Sequence, residues 1–272
     1  LPELPEVEFA RQQLRRVMEG ARFERVLARR PDLRYPLPTD FAARLEGQTV
    51  HAITRRAKYL LVELSSGSLL LMHLGMSGSF RVVRSDADAA EFATHDHVSF
   101  AMSSGAIVVF NDPRRFGFMK LLEPSDVPEA PALRALGPEP LTRTFTASVL
   151  AAALKRKTTT LKAALSDQRV VSGLGNIYVC EALHRARLSP KRRASTLVAR
   201  SGTPRPEMLR LVEAIRTVLK DAIAVSRRRY NDDRFRVYDR EGRRCLRRGC
   251  PGVVKRIVQA GRSTFFCPVC QR

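Results

Sequence analysis

The stretch CLRRGCPGVVKRIVQAGRSTFFCPVC, residues 245–270, decides how the rest of the chain is read. It sets Cys245 and Cys250 as a C-x4-C pair and Cys267 and Cys270 as a C-x2-C pair, with sixteen residues between. Two short knuckles at this spacing can present four thiolates to one tetrahedral ion at about 2.3 Å. The residues between them read as a β-hairpin. Val253, Val254, Ile257 and Val258 lead into a turn at Gln259, Ala260 and Gly261, and Thr264, Phe265 and Phe266 return to the second knuckle. The pattern therefore calls for one structural zinc. Two disulfides are the competing reading, and they need an oxidising compartment to which nothing else in the sequence points. The fifth cysteine, Cys180, stands alone and reads as a buried apolar residue.

Charge supports a partner for this end of the chain. The 272 residues hold 48 Lys and Arg against 27 Asp and Glu, a net charge of +21. Such an excess goes beyond the needs of solubility and implies a polyanion; a solvated basic surface without function is the bland alternative. From Val225 to Arg272 there are fourteen basic residues, thirteen Arg and Lys255, against Asp232, Asp233, Asp239 and Glu241. The finger end is thus expected to face phosphate. No apolar run is long enough for a bilayer and no signal peptide is evident, so a soluble, cytoplasmic protein without membrane attachment is expected.

Further outward the chain changes character. Val7, Ala10, Leu14 and Val17 recur at helical spacing from Pro5 to Val17, with Gly20 just past the end. From about Arg22 to Glu123 short apolar runs dominate, such as 59–64, 68–74 and 106–110, broken by turns like Ser66-Gly67 and Ser104-Gly105. They predict an antiparallel sandwich or barrel. A proline-rich linker follows, and helices are predicted over 146–155, 160–166, 176–187 and 205–225. The expected architecture is a multi-domain α+β chain: 1–123 a β domain, 124–141 linker, 142–234 helical, 235–272 the zinc finger.

The opening residues Pro2-Glu3-Leu4-Pro5-Glu6-Val7-Glu8 resemble the signature of the formamidopyrimidine-DNA glycosylase family. The blocks Arg55-Arg56-Ala57-Lys58-Tyr59-Leu60, His73-Leu74-Gly75-Met76-Ser77-Gly78, His95-Asp96-His97, Asp112-Pro113-Arg114-Arg115-Phe116-Gly117 and Gly173-Leu174-Gly175-Asn176-Ile177-Tyr178 agree in order and spacing, as does the finger. The resemblance implies a catalytic β-sandwich, a helix-two-turns-helix domain and a zinc finger. It further implies a monomer that acts at the bacterial nucleoid on double-stranded DNA with oxidised bases or abasic sites.

It also implies roles for particular residues. Pro2 would be the nucleophile, because a terminal proline is a secondary amine with a pKa near about 8 and is partly neutral at physiological pH. Glu3 would protonate the sugar ring oxygen, and Glu6 would handle further protons; Glu8 is left as a charge favouring the helix start. Met76, Arg114 and Phe116 would fill the space vacated by the extruded nucleotide, although a Met and a Phe in β segments are more often core. Lys58, Asn176, Arg262 and, on a looser alignment, Lys157 would hold flanking phosphates; Asn176 could instead be a helix N-cap. His73, His95 and His97 are taken as structural rather than as a second metal site.

Two departures stand out. Between the last helix and Phe235 the chain has only Ser226 to Arg234 where the family carries a longer loop over the extruded base, so contacts to the base are expected to be fewer. Leu1 stands where an initiator methionine belongs, and the expectation is an alternative start codon with a mature chain beginning at Pro2. The alternatives are an endonuclease VIII-like enzyme for oxidised pyrimidines, disfavoured by Leu4 and Arg114-Arg115-Phe116, and a silent damage-binding protein, disfavoured by intact Pro2 and Glu3.

Overall fold

The helical spacing of the opening segment is realised as α1 (Leu4–Met18) in a computed structural model that describes residues 2–84, 92–226 and 235–272. Its buried stripe is Leu4, Val7, Ala10, Leu14 and Met18. Met18 takes the place expected of Val17, which is only partly covered. Gly20 ends the helix at φ +76°, and its amide bonds the Val50 carbonyl at 2.8 Å.

Among the described residues, eight strands follow in the first of two units into which the chain divides, 1–134. They are β1 (Phe23–Ala28), β2 (Val50–Arg56), β3 (Tyr59–Leu64), β4 (Leu69–His73), β5 (Ser79–Arg84), β6 (Asp96–Met102), β7 (Ala106–Asn111) and β8 (Phe118–Leu122), with short helices α2 (Phe41–Leu45) and α3 (Pro131–Arg134). They form two antiparallel four-stranded sheets, ordered β1-β6-β7-β5 and β2-β3-β4-β8. Phe23, Phe100, Val108 and Phe110 of the first sheet and Leu60, Val62, Leu70 and Met72 of the second share one core with Val7, Leu14 and Met18 of α1. The unit is a β-sandwich on which α1 packs, with Phe41 and Leu45 of the short α2 in the same core. Each fully buried Leu or Phe contributes about 2 to 3 kcal/mol of transfer free energy.

The second unit, 135–272, is helical with a terminal hairpin. It holds α4 (Ala147–Leu154), α5 (Leu161–Ser166), α6 (Asn176–Ala186), α7 (Pro206–Ser226) and the antiparallel pair β9 (Lys255–Gln259) and β10 (Arg262–Phe266). Thr146 and Thr160, expected as first helical residues, are N-caps whose hydroxyls accept the amides of Val149 and Ala163 at 3.3 Å. The central helix α6 buries every residue except Arg185 and packs against α5, α7 and β10. No described helix is long and apolar enough to cross a membrane. Leu1 and nearly all of the short loop, residues 227–234, lie outside the described residues.

Candidate active site and metal centre

Pro2 is half-buried and directly precedes Glu3, the N-cap of α1, whose side chain lies in the interior at 2% exposure. The Glu3 amide donates to Glu6 Oε2 at 3.0 Å, the arrangement by which a residue at the third helical position ties down the cap. Glu6 therefore has a positional role in the first turn whatever else it does. Glu8 is more than a helix-start charge. It accepts from Arg11 at 2.7 Å, Gln12 at 3.0 Å and Arg55 at 3.1 Å. Burial alone would raise its pKa, but these hydrogen bonds and the two guanidinium charges outweigh it and hold the carboxyl below its usual range.

Arg55 carries this anchorage to Lys58. Its Nη1 donates to the Ala57 carbonyl at 2.8 Å, inside the two-residue turn Ala57-Lys58 that joins β2 and β3. Ala57 is held there at φ +55°, a left-handed conformation that costs a residue with a Cβ. Glu8 and Arg55 thus link the helix that begins beside Pro2 to the turn that displays half-buried Lys58. The sequence shows these residues but not their pairing, which spans 47 positions. His73 lies near this turn. Burial, then the charges of Lys58 and Arg34, lower its pKa to about 4, and its Nδ1 accepts the Gly75 amide at 3.0 Å.

Met76 and the pair Arg114 and Phe116 sit on two turns, β4–β5 and β7–β8, that interlock backbone to backbone. A Cβ on Gly75, which has φ +63°, would lie 2.3 Å from the Gly117 nitrogen and from the Phe116 carbonyl carbon. Asp112, fully buried, accepts the Ser77 hydroxyl and, at 2.7 Å, the Gly117 amide; Ser77 Oγ in turn accepts the Arg114 amide at 3.1 Å. The effect is to expose what a packed core would hide. Phe116 is 39% exposed with the Arg114 guanidinium 5.1 Å from its ring centre, and Met76 is half-buried. The His95–His97 block braces this region: Asp96 binds Arg81 at 2.7 Å and Asn111 at 2.8 Å, and His97 Nε2 lies 2.9 Å from the Asp112 carbonyl. Among the described residues, no histidine joins a metal-binding group.

In the second unit Gly175, not Asn176, is the N-cap of α6. Asn176 is the first helical residue, 5% exposed, and its Nδ2 donates to the Ser263 carbonyl at 2.9 Å. That bond places it against the residue after Arg262, which opens β10 on the exposed hairpin end. The turn is Ala260-Gly261 alone, both at positive φ (49° and 70°), with Gln259 still in the strand. Lys157 lies 3.4 Å from Asp167, whose carboxyl is held at about 2, chiefly by Arg169. The candidate residues thus divide between the units: Pro2, Glu3, Glu6, Lys58, Met76, Arg114 and Phe116 in one, Lys157, Asn176, Arg262 and the cysteines in the other.

The four cysteines meet. Their sulfurs lie within 4.8 Å of one another, with Cys245 to Cys270 at 3.8 Å and Cys250 to Cys267 at 3.7 Å. A tetrahedron with metal–sulfur bonds of about 2.3 Å has edges of about 3.8 Å, so the cluster fits a metal ion. Gly252 is required beside it, because a Cβ there would come 2.5 Å from Cys267 Sγ. Sequence reasoning passed over Glu181, buried in α6, which accepts the amides of Arg236, Val237 and Tyr238 at 2.9–3.1 Å. It resembles a surface glutamate in the sequence, and burial raises its pKa against the pull of those amides.

Comparison with known proteins agrees with this anatomy. Residues 1–119 match the formamidopyrimidine-DNA glycosylase N-terminal domain and residues 136–232 the H2TH domain of the same family. A formamidopyrimidine-DNA glycosylase of Rhodopseudomonas palustris is 58% identical over 292 positions, covering all of both chains. Since this chain has 272 residues, at least 20 of those positions have no counterpart in it. Two crystal structures of the Lactococcus lactis enzyme, one non-covalently bound to DNA with an abasic site and one in complex with DNA containing an oxidised pyrimidine, superpose with TM-scores of 0.88 at 30% identity, each over the whole of both chains. The chain belongs to the formamidopyrimidine-DNA glycosylase family.

Proposed function

We propose that the protein is a bifunctional DNA glycosylase and AP lyase that removes oxidised purines, 8-oxoguanine and formamidopyrimidines, from duplex DNA and then cuts the strand. The observation that carries this reading is Glu3, a carboxylate in the interior, fixed as the cap of α1 next to Pro2. A free Pro2 amine attacks C1′ of the extruded nucleotide, and the base leaves with the C1′–N bond pair and takes up the proton that the amine nitrogen releases. Glu3 gives a proton to the ring oxygen as the C1′–O4′ bond breaks and the proline lone pair closes the iminium. The resulting iminium draws electrons from the C2′–H bond. Loss of that proton expels the 3′ phosphate, and a second elimination expels the 5′ phosphate.

Met76 and Phe116 wedge the stack where the nucleotide left, and Arg114 donates to the orphaned base. Lys58, Asn176, Arg262 and Lys157 hold phosphates; one hydrogen of the Asn176 amide is taken by Ser263 and the other remains for an acceptor. The cysteine cluster holds one structural zinc, which fixes the hairpin that displays Arg262. The chain acts as a monomer on bacterial nucleoid DNA. The direct test is incubation with duplexes carrying one formamidopyrimidine, 8-oxoguanine or thymine glycol. Release of the purine lesions with two phosphate-ended fragments supports the reading; faster release of thymine glycol favours the pyrimidine enzyme, and binding without release favours a silent protein.

A further inference from the structure

One of the four cysteines meets a side chain of α6 directly. His184, on the last turn of α6 and fully buried, brings Nε2 to 3.3 Å from Cys245 Sγ. A thiolate that binds a metal carries no proton, so the hydrogen in this contact must come from the imidazole. Its other nitrogen agrees. Nδ1 is buried and has no partner among the described residues, so a hydrogen there would be an orphaned buried donor, whereas a lone pair is tolerated more readily.

The same helix is fastened to the finger along its whole length. Asn176 at its start bonds the Ser263 carbonyl at 2.9 Å, Glu181 in the middle holds the amides of residues 236–238, and Arg247 Nη2 caps the His184 carbonyl at 2.6 Å. His184 is the point where this fastening reaches a metal ligand.

We propose that His184 is the outer hydrogen-bond donor of the metal centre: Nε2–H to the Cys245 thiolate fixes that ligand and ties the metal to α6, whose opposite end presents Asn176. His184 is a positioning residue, and the inference rests on the zinc reading above. A neutral donor also offsets part of the net −2 charge that four thiolates leave on a divalent ion, which is how outer partners of metal ligands sustain affinity.

The test uses the full chain. Zinc content is measured first, then zinc affinity by competition with a chromogenic chelator for the wild type, His184→Phe and His184→Gln. His184→Phe is expected to weaken zinc binding about 10- to 100-fold. His184→Gln, whose amide nitrogen can occupy the Nε2 position, is expected to recover most of it. Long-range 1H–15N spectra of the zinc-loaded wild type, which need no variant to fold, are expected to show His184 protonated on Nε2. One zinc with equal affinity in all three proteins, equal losses in Phe and Gln variants, or a hydrogen on Nδ1 overturns the inference and leaves the zinc reading intact. Wild-type protein that binds no zinc overturns both.

Discussion

Ser77 donates its hydroxyl to the buried carboxylate of Asp112 and accepts the Arg114 amide at 3.1 Å, so one serine on the turn of Met76 fixes the turn of Arg114 and Phe116. The three side chains that would enter the DNA stack are therefore presented as one rigid piece. Ser77→Ala leaves both an acceptor and a donor without this partner, at about 1 to 3 kcal/mol. It is expected to slow excision of a lesion base roughly 5- to 100-fold while cleavage of a preformed abasic site falls much less, because no base has to be removed. Single-turnover rates on the two substrates check this, and equal losses would mean that the serine serves only the fold.

Arg114 rests its guanidinium 5.1 Å from the Phe116 ring centre and is otherwise exposed. Arg114→Ala is expected to reduce discrimination for cytosine opposite the lesion by about 1 to 3 kcal/mol, the worth of one good base contact. The ratio of excision rates opposite cytosine and opposite adenine measures it, and an unchanged ratio would remove Arg114 from base recognition.

Cys267→Ser is expected to lower metal content and DNA affinity together, because three ligands no longer close the site around which the hairpin folds. Wild-type binding should also weaken steeply with salt, with a logarithmic slope of roughly 0.9 per neutralised phosphate. Metal analysis and a salt titration read the two effects; active protein without metal, or a flat titration, would contradict them.

His73 provides a pH dependence. Its folded pKa of about 4 lies below the ordinary 6.5 of an unfolded chain, so between those values the unfolded state takes up a proton that the folded state refuses. Its contribution to stability is complete above pH 6.5 and is lost as pH falls toward 4, by up to ~3 kcal/mol. NMR titration of the His73 ring should give a midpoint near 4; a midpoint near 6.5 would show the ring to be solvated and the turn of Met76 looser than described.

Most elements were legible because their signals are local. The hairpin, the capped helices and the cysteine knuckles follow from period, turn chemistry and spacing within 30 residues. Tyr59–Leu64 lies where the short apolar run put it. What sequence could not show depends on distant partners: Glu8 with Arg55 across 47 positions, Ser77 with Asp112 across 35, His184 with Cys245 across 61. A glutamate, a serine or a histidine in an otherwise ordinary segment reads as surface until the fold supplies its partner. The roles proposed for Pro2, Arg114 and Lys58 come from resemblance, since a half-buried proline, a half-buried lysine and an exposed arginine have no pattern of their own.

The proposed chemistry depends most directly on Pro2. A free secondary amine can form the iminium, whereas a residue placed before Pro2 turns its nitrogen into a tertiary amide whose lone pair is delocalised. Borohydride trapping on abasic DNA, with the adduct mapped by mass spectrometry, decides the matter on protein beginning at Pro2 and on protein extended by Leu1. The prediction is an adduct on the Pro2 nitrogen in the first and DNA binding without an adduct in the second. An adduct on Lys58, or full-rate cleavage by the extended chain, would contradict it.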